Sequence, residues 1–237
     1  MTRPRSLALA GLATALLANF WLLEDWLAAR TDLSDAWISD LAARTQVYGW
    51  RFQLLEIAAG LAVAAYAALL LRATAEPGRP DEPPAPPLLR RGLGFLLAAG
   101  ALLAIGGGAP LSCSEALEHA CDLSYDPFDL VHSTANLLET VSLAAAFALV
   151  GTALRGHPAS RRLGTATLAI GAAWLALTLV TGLSYPFDGI DTVKGLCQRA
   201  AQVLLGCWLV LLGRLADSAT KPESRTTCGR RTSAPKG

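Results

Sequence analysis

Six stretches of this chain are each long and apolar enough to cross a bilayer, and that repetition decides the fold class. At 1.5 Å per residue, about 20 apolar residues cover the hydrocarbon core. The runs fall near residues 6–23, 52–71, 92–109, 131–154, 163–182 and 195–213. Charged residues make up 16% of the chain, against about 25% in a soluble domain, and they sit in short blocks between the runs. In lipid every backbone N–H and C=O has to be satisfied internally, which leaves helices as the form such runs take. The expectation is an all-α, polytopic six-helix transmembrane bundle over residues 1–216, with a basic, disordered tail at 217–237. The first run has an alternative reading as a signal peptide, with Arg3 and Arg5 as its n-region. No clean small-x-small site precedes Glu24, and Trp21 sits where an interfacial anchor belongs, so a retained helix is preferred.

The basic residues give the orientation. Counted with the ends of alternate spans, one side holds 15 of the 20 Lys and Arg and the other holds Arg30, Arg44, Arg51, Lys194 and Arg199. The segment from Ala109 to Leu130 has no Lys or Arg, against five carboxylates. The positive-inside rule makes the 15-residue side cytoplasmic, so both termini are expected inside. Arg predominates over Lys among these residues, and with the wealth of Ala, Leu and Gly it points to a GC-rich bacterial genome and hence a multi-pass protein of the bacterial plasma membrane. Membrane lipids are the expected partners. A net charge of +1 without an aromatic-studded basic patch offers nothing to nucleic acid.

Between the spans, Glu76–Pro87 is rich in proline and charge and reads as a flexible cytoplasmic loop. Thr31–Arg44 is expected to form a short helix lying on the outer membrane surface, with Trp37, Ile38 and Leu41 toward lipid and Asp35 and Asp40 toward water. Cys113 and Cys121 close a short loop on the oxidising side, so a disulfide is the leading reading and two unpaired thiols the alternative. Cys197 and Cys207 read as small packing residues of the sixth span, and Cys228 as a reduced thiol of the tail.

Only two of the 19 carboxylates, Glu56 and Glu139, lie well inside spans. An ionisable group there costs about 2.5–3.5 kcal/mol on insertion scales, so it faces a partner or a cavity. In the fourth span Asp129, His132, Asn136 and Glu139 follow one another at spacings of 3, 4 and 3, a single narrow stripe on a helix. Gln198, Arg199 and Gln202 fall at similar depth in the sixth span. These groups are expected to converge on one pocket open to the outer leaflet, with Asp40, Asp129, Asn136, Gln198, Arg199 and Gln202 as ligand contacts. Within it, Glu56 or Glu139 suits a general acid/base and His132 a second proton carrier. The structural alternative has Arg199 neutralise Glu56 or Glu139, with the amides bonding between helices. No metal site and no cofactor is expected, since neither H-E-x-x-H nor C-x-x-C occurs. The run Gly106–Gly108 is not a phosphate loop, because no Lys-Ser/Thr follows it; close helix approach explains it better. No G-x-S-x-G elbow is present. His157 reads as a solvated turn residue and His119 as an exposed loop residue.

Three short segments carry a resemblance. They are Trp37-Ile-Ser-Asp-Leu41 running through Gly49-Trp-Arg-Phe52, the Asp-x-x-His of Asp129 and His132, and Gly195-Leu-Cys-Gln-Arg199 followed by Trp208. With the helix count, they resemble the bacterial membrane family catalogued as domain of unknown function 998, itself distantly similar to the Frag/DRAM/Sfk membrane proteins. The resemblance implies a six-helix fold, marks Asp40, His132 and Arg199 as positions of interest, and implies no established reaction. The leading functional expectation is binding or processing of a lipid-like molecule in an outer-leaflet polar pocket. A non-enzymatic scaffold or accessory subunit is the rival, and a small-molecule transporter comes third because no span has a Gly/Pro break at mid-membrane.

Overall fold

The structure, a computed structural model, describes residues 3–27, 36–75, 85–114, 126–183 and 193–220. Six α-helices follow in order: α1 Arg3–Ala18, α2 Gly49–Ala75, α3 Pro87–Gly108, α4 Pro127–Arg155, α5 Arg161–Leu183 and α6 Lys194–Thr220. No strand occurs among the described residues. Five of the helices are long and apolar enough to cross a membrane, and α1 is shorter. Residues 76–84 of the expected linker 76–87, residues 31–35 of the expected surface helix, the loop around His119 and Cys121, and residues 221–237 of the expected tail lie outside the described residues.

The helix ends follow local chemistry. Pro87 and Pro127 occupy the first turn of α3 and α4, where the missing N–H has no intrahelical partner to lose. Asp126 caps α4 by accepting from Phe128 N at 2.8 Å. The apolar run at 6–23 is not one continuous α-helix. At Asn19 the side-chain amide donates back to Ala15 O at 2.8 Å, and its oxygen accepts from Trp21 Nε1 at 3.2 Å. That local bonding ends α1, and the chain continues as a 3-10 turn over Phe20–Leu23.

Each helix packs beside the next, and α6 returns to α1, so the six form a closed up-and-down ring. The pairs run antiparallel. Between α2 and α3 the register is set by Gly60 and Gly100: a Cβ on Gly60 would collide with the Ala104 backbone, and one on Gly100 with the Ala64 backbone. Two bare Cα positions let these backbones touch, the usual device where lipid supplies no hydrophobic drive. The centre of the ring is filled by aromatics. Phe147 of α4 lies 4.0 Å from the Trp208 ring of α6 and 5.6 Å from Trp174 of α5. Tyr66 of α2 donates its hydroxyl to Leu209 O at 3.1 Å.

We call the end where α2, α4 and α6 begin the mouth. A second apolar cluster closes it: Phe20, Ile38, Leu41, Ala42, Phe52, Ala59 and Leu103. Here the structure corrects the sequence expectation for the segment before α2. The 3-10 turn Ile38–Ala42 does not lie on the membrane with Leu41 in lipid and Asp40 in water; both are buried in the mouth. The polar groups of the turn explain this. The Asp40 carboxylate accepts from Trp37 N at 2.8 Å, Ile38 N donates to Gln198 Oε1 at 2.7 Å, and Gln53 Nε2 donates to Ala42 O at 3.0 Å. With its backbone satisfied by helices α2 and α6, the turn can sink into the bundle. The chain then crosses to the end of α3, where Arg44 N donates to Leu111 O at 2.9 Å and Ser114 N donates to Thr45 Oγ at 3.1 Å.

Candidate functional site

The glycine run at the end of α3 is where polar side chains from two neighbours meet. A Cβ on Gly107 would lie 3.0 Å from Cβ and Cγ of Glu56, on α2. A Cβ on Gly106 would lie 3.3 Å from Asn136 Oδ1 and 3.9 Å from His132 Nδ1, both on α4. Adjacent glycines thus make room for Glu56 on one side and for the α4 stripe on the other. Glu139, seven residues along α4 from His132, lies near enough to Glu56 for their charges to interact.

These groups are deeply buried. Glu56 is 6% exposed, Glu139 8% and His132 3%. His132 Nδ1 lies 3.0 Å from Gly106 O and 3.1 Å from Ala109 O, the carbonyls that end α3. Both partners are acceptors, so Nδ1 carries the proton, and in the neutral imidazole Nε2 is left with a lone pair. Nε2 of His132 and Oε2 of Glu56 are buried with no hydrogen-bond partner. Asn136 is half-buried. Asp129, one turn before His132, has a different task. Its two oxygens accept from Ser112 N at 2.7 Å and Ser112 Oγ at 2.6 Å, tying the segment after α3 to the start of α4.

Arg199 belongs to a second group of residues. Its Nη2 pairs with Glu24 Oε2 at 2.8 Å, and its Nη1 donates to Ala36 O at 2.9 Å and Gly195 O at 3.3 Å. The guanidinium lies 5.8 Å from the Trp21 ring. The expected pairing with Glu56 or Glu139 is therefore replaced by one with Glu24. Together with Gln198, Arg199 fastens the sunken turn to the start of α6. Gln202, one turn further along, is half-buried. Sequence reasoning missed Glu24 because it follows the apolar run instead of interrupting it. Its signal was an acidic residue beside Trp21 with no basic residue near in sequence.

Cys113 is half-buried in the segment after α3, and Cys121, its expected partner, lies outside the described residues. Cys197 and Cys207 are free thiols. Among the described residues, no three His, Cys, Asp or Glu side chains gather as a metal-ligand set. His157 is exposed.

On the bundle's outward face a shallow groove of about 250 Å3 runs along the α3–α4 seam. It is lined by Leu102, Ile105, Leu130, Thr134, Ala135 and Leu138, with Val131 at its edge. Ala135 also lies 3.8 Å from the position of a Cβ on Gly106. Two small residues, Gly106 and Ala135, therefore separate this apolar groove from His132 and Asn136.

Apolar helices arranged in a ring, with ionisable groups turned inward, define a multi-pass helical membrane protein. The model of the family described as "Protein of unknown function (DUF998)" matches residues 9–215, nearly all of the helical region, and the chain belongs to that family. No curated protein and no solved structure matches it.

Proposed function

We propose that this protein binds, and processes, the polar head of a lipid-like molecule taken from the outer leaflet of a bacterial plasma membrane. The observation that carries the reading is the pair of buried atoms without partners, Glu56 Oε2 and His132 Nε2. A buried polar atom left unpaired costs about 1–3 kcal/mol, so a bundle that keeps two of them, one beside Gly107 and one beside Gly106, is better explained by a visiting group than by packing. The α3–α4 groove offers a lipid-facing approach at the same level, with Glu139 completing the polar face. In this reading Glu56 and Glu139 are the acid/base groups, His132 is a proton carrier, and Asn136 contacts the head group.

The decisive experiment is identification of lipid that stays with the protein through purification in mild detergent. A bound amphiphile is expected at near one per chain, and Glu56→Gln is expected to lose it while melting as the parent does. Equal retention in parent and variant, or none in either, refutes the reading. It would favour the rival scaffold role, for which the fully buried Glu24–Arg199 pair speaks.

The reading also needs the mouth to face outward, as the 15-to-5 division of basic residues indicates. In a background without native cysteines, a cysteine at Asp126 should react with a membrane-impermeant thiol reagent in intact cells, and one at Gly156 should not. The reverse pattern inverts the orientation.

A further inference from the structure

The hydrogen-bonding character of the buried atoms narrows the ligand. We infer that the group recognised between α2 and α4 is a primary ammonium carried by an amphiphile, an inference that rests on the site proposed above.

Glu56 offers carboxylate oxygens, one of them buried and unpartnered. Glu139 adds a second carboxyl on α4, near enough for the two to interact electrostatically. His132 has given its Nδ1 proton to the α3 carbonyls, so the neutral ring presents a lone pair at Nε2. The column from His132 to Glu139 covers about 10 Å of α4 at 1.5 Å per residue, and its buried unpartnered atom, His132 Nε2, is an acceptor. Asn136, on the same stripe between them, can both donate and accept.

Among the described residues, the basic side chains nearest the start of α2 and α6 are engaged elsewhere. Arg199, the buried guanidinium of the mouth, is held by Glu24 and two carbonyls. Arg51 lies over the rings of Tyr48 and Trp50, 4.3 and 5.5 Å away. A phosphate or carboxylate head entering beside Glu56 and Glu139 would bring a buried negative charge with no described basic side chain to pair it, and acceptors to face the Nε2 lone pair. A primary ammonium brings three N–H donors and the compensating charge. The apolar α3–α4 groove beside Gly106 and Ala135 then suits the chain attached to it, which is why the donor is assigned to an amphiphile.

The test uses full-length protein in mixed micelles, read by native mass spectrometry. Three probes are compared: phosphatidylethanolamine, the same lipid N-acetylated, and phosphatidylglycerol. N-acetylation keeps the chains and phosphate but removes the charge and two of the donors. Charge-assisted hydrogen bonds of this kind support a preference of about tenfold or more for phosphatidylethanolamine. That preference should collapse in both Glu56→Gln and Glu139→Gln, each checked for an unchanged melting temperature. Free ethanolamine is added as a competitor. Failure to displace the lipid assigns the ammonium to an amphiphile; displacement at low concentration keeps the ammonium but overturns its assignment to a lipid. Equal retention of the native and N-acetylated lipids, lost in Glu56→Gln, overturns the ammonium and leaves the site standing. Retention indifferent to both variants overturns the inference and the proposed site together.

Discussion

The Glu24–Arg199 pair is the strongest single constraint on the mouth, and breaking it asymmetrically should be costly. Its side chains are 9% and 4% exposed and meet at 2.8 Å. In Glu24→Gln the guanidinium keeps Ala36 O and Gly195 O but loses the Glu24 carboxylate. Breaking a buried ion pair by removing one partner costs about 3–5 kcal/mol. For a chain of this size each kcal/mol moves the melting temperature by about 2–4 °C, giving a fall of roughly 6–20 °C. Removing both charges, in Glu24→Gln with Arg199→Met, leaves no orphan cation, only the two carbonyls without their donor. The double variant should therefore recover at least half of the single-variant loss. Glu56→Gln and Glu139→Gln are the contrasting controls, since neither carboxylate holds a cation, and both should melt near the parent. Scanning fluorimetry in detergent reads all of these. A Glu24→Gln variant melting within about 2 °C of the parent, or a double variant worse than the single, would show that the pair does not hold the mouth together.

Gly100→Val should separate α2 from α3, because its Cβ meets backbone that cannot yield; a loss of about 3 kcal/mol or more is expected in the same melting assay. Arg44→Gln removes the 3.1 Å ion pair to Asp126, whose side chains are 40% and 27% exposed, and should cost no more than about 1 kcal/mol. Thr134→Trp, placed on the exposed lining of the α3–α4 groove, should leave stability unchanged and lower the amount of retained amphiphile in lipid extracts.

How much of this was legible beforehand differs from element to element. The apolar runs named the bundle because lipid permits little else, and the 3-4-3 spacing of Asp129, His132, Asn136 and Glu139 put four polar residues on one buried face. The spacing did not separate their tasks. That Asp129 is spent on Ser112 while His132 is pinned to the end of α3 depends on where the loop after α3 falls. The turn at Ile38–Ala42 was misread because amphipathic spacing describes a helix on a surface and a helix sunk into a protein equally well. What decided between them was long-range bonding to Gln198 and Gln53. Glu24 was overlooked for a related reason: the back-bond of Asn19 ends α1 early, and the 3-10 turn that follows places Phe20 and Glu24 inward, Glu24 toward a guanidinium 175 residues away.

The central claim is that Glu56 and His132 await a ligand between α2 and α4. A structure of the full chain in lipidic mesophase, at a resolution that shows ordered small groups, tests it most directly. The account predicts non-protein density within about 3 Å of both Glu56 Oε2 and His132 Nε2, continuing past Gly106 and Ala135 into the α3–α4 groove. Glu56 and His132 found bonded to other side chains of this protein, with the space between them closed by packing, would contradict it.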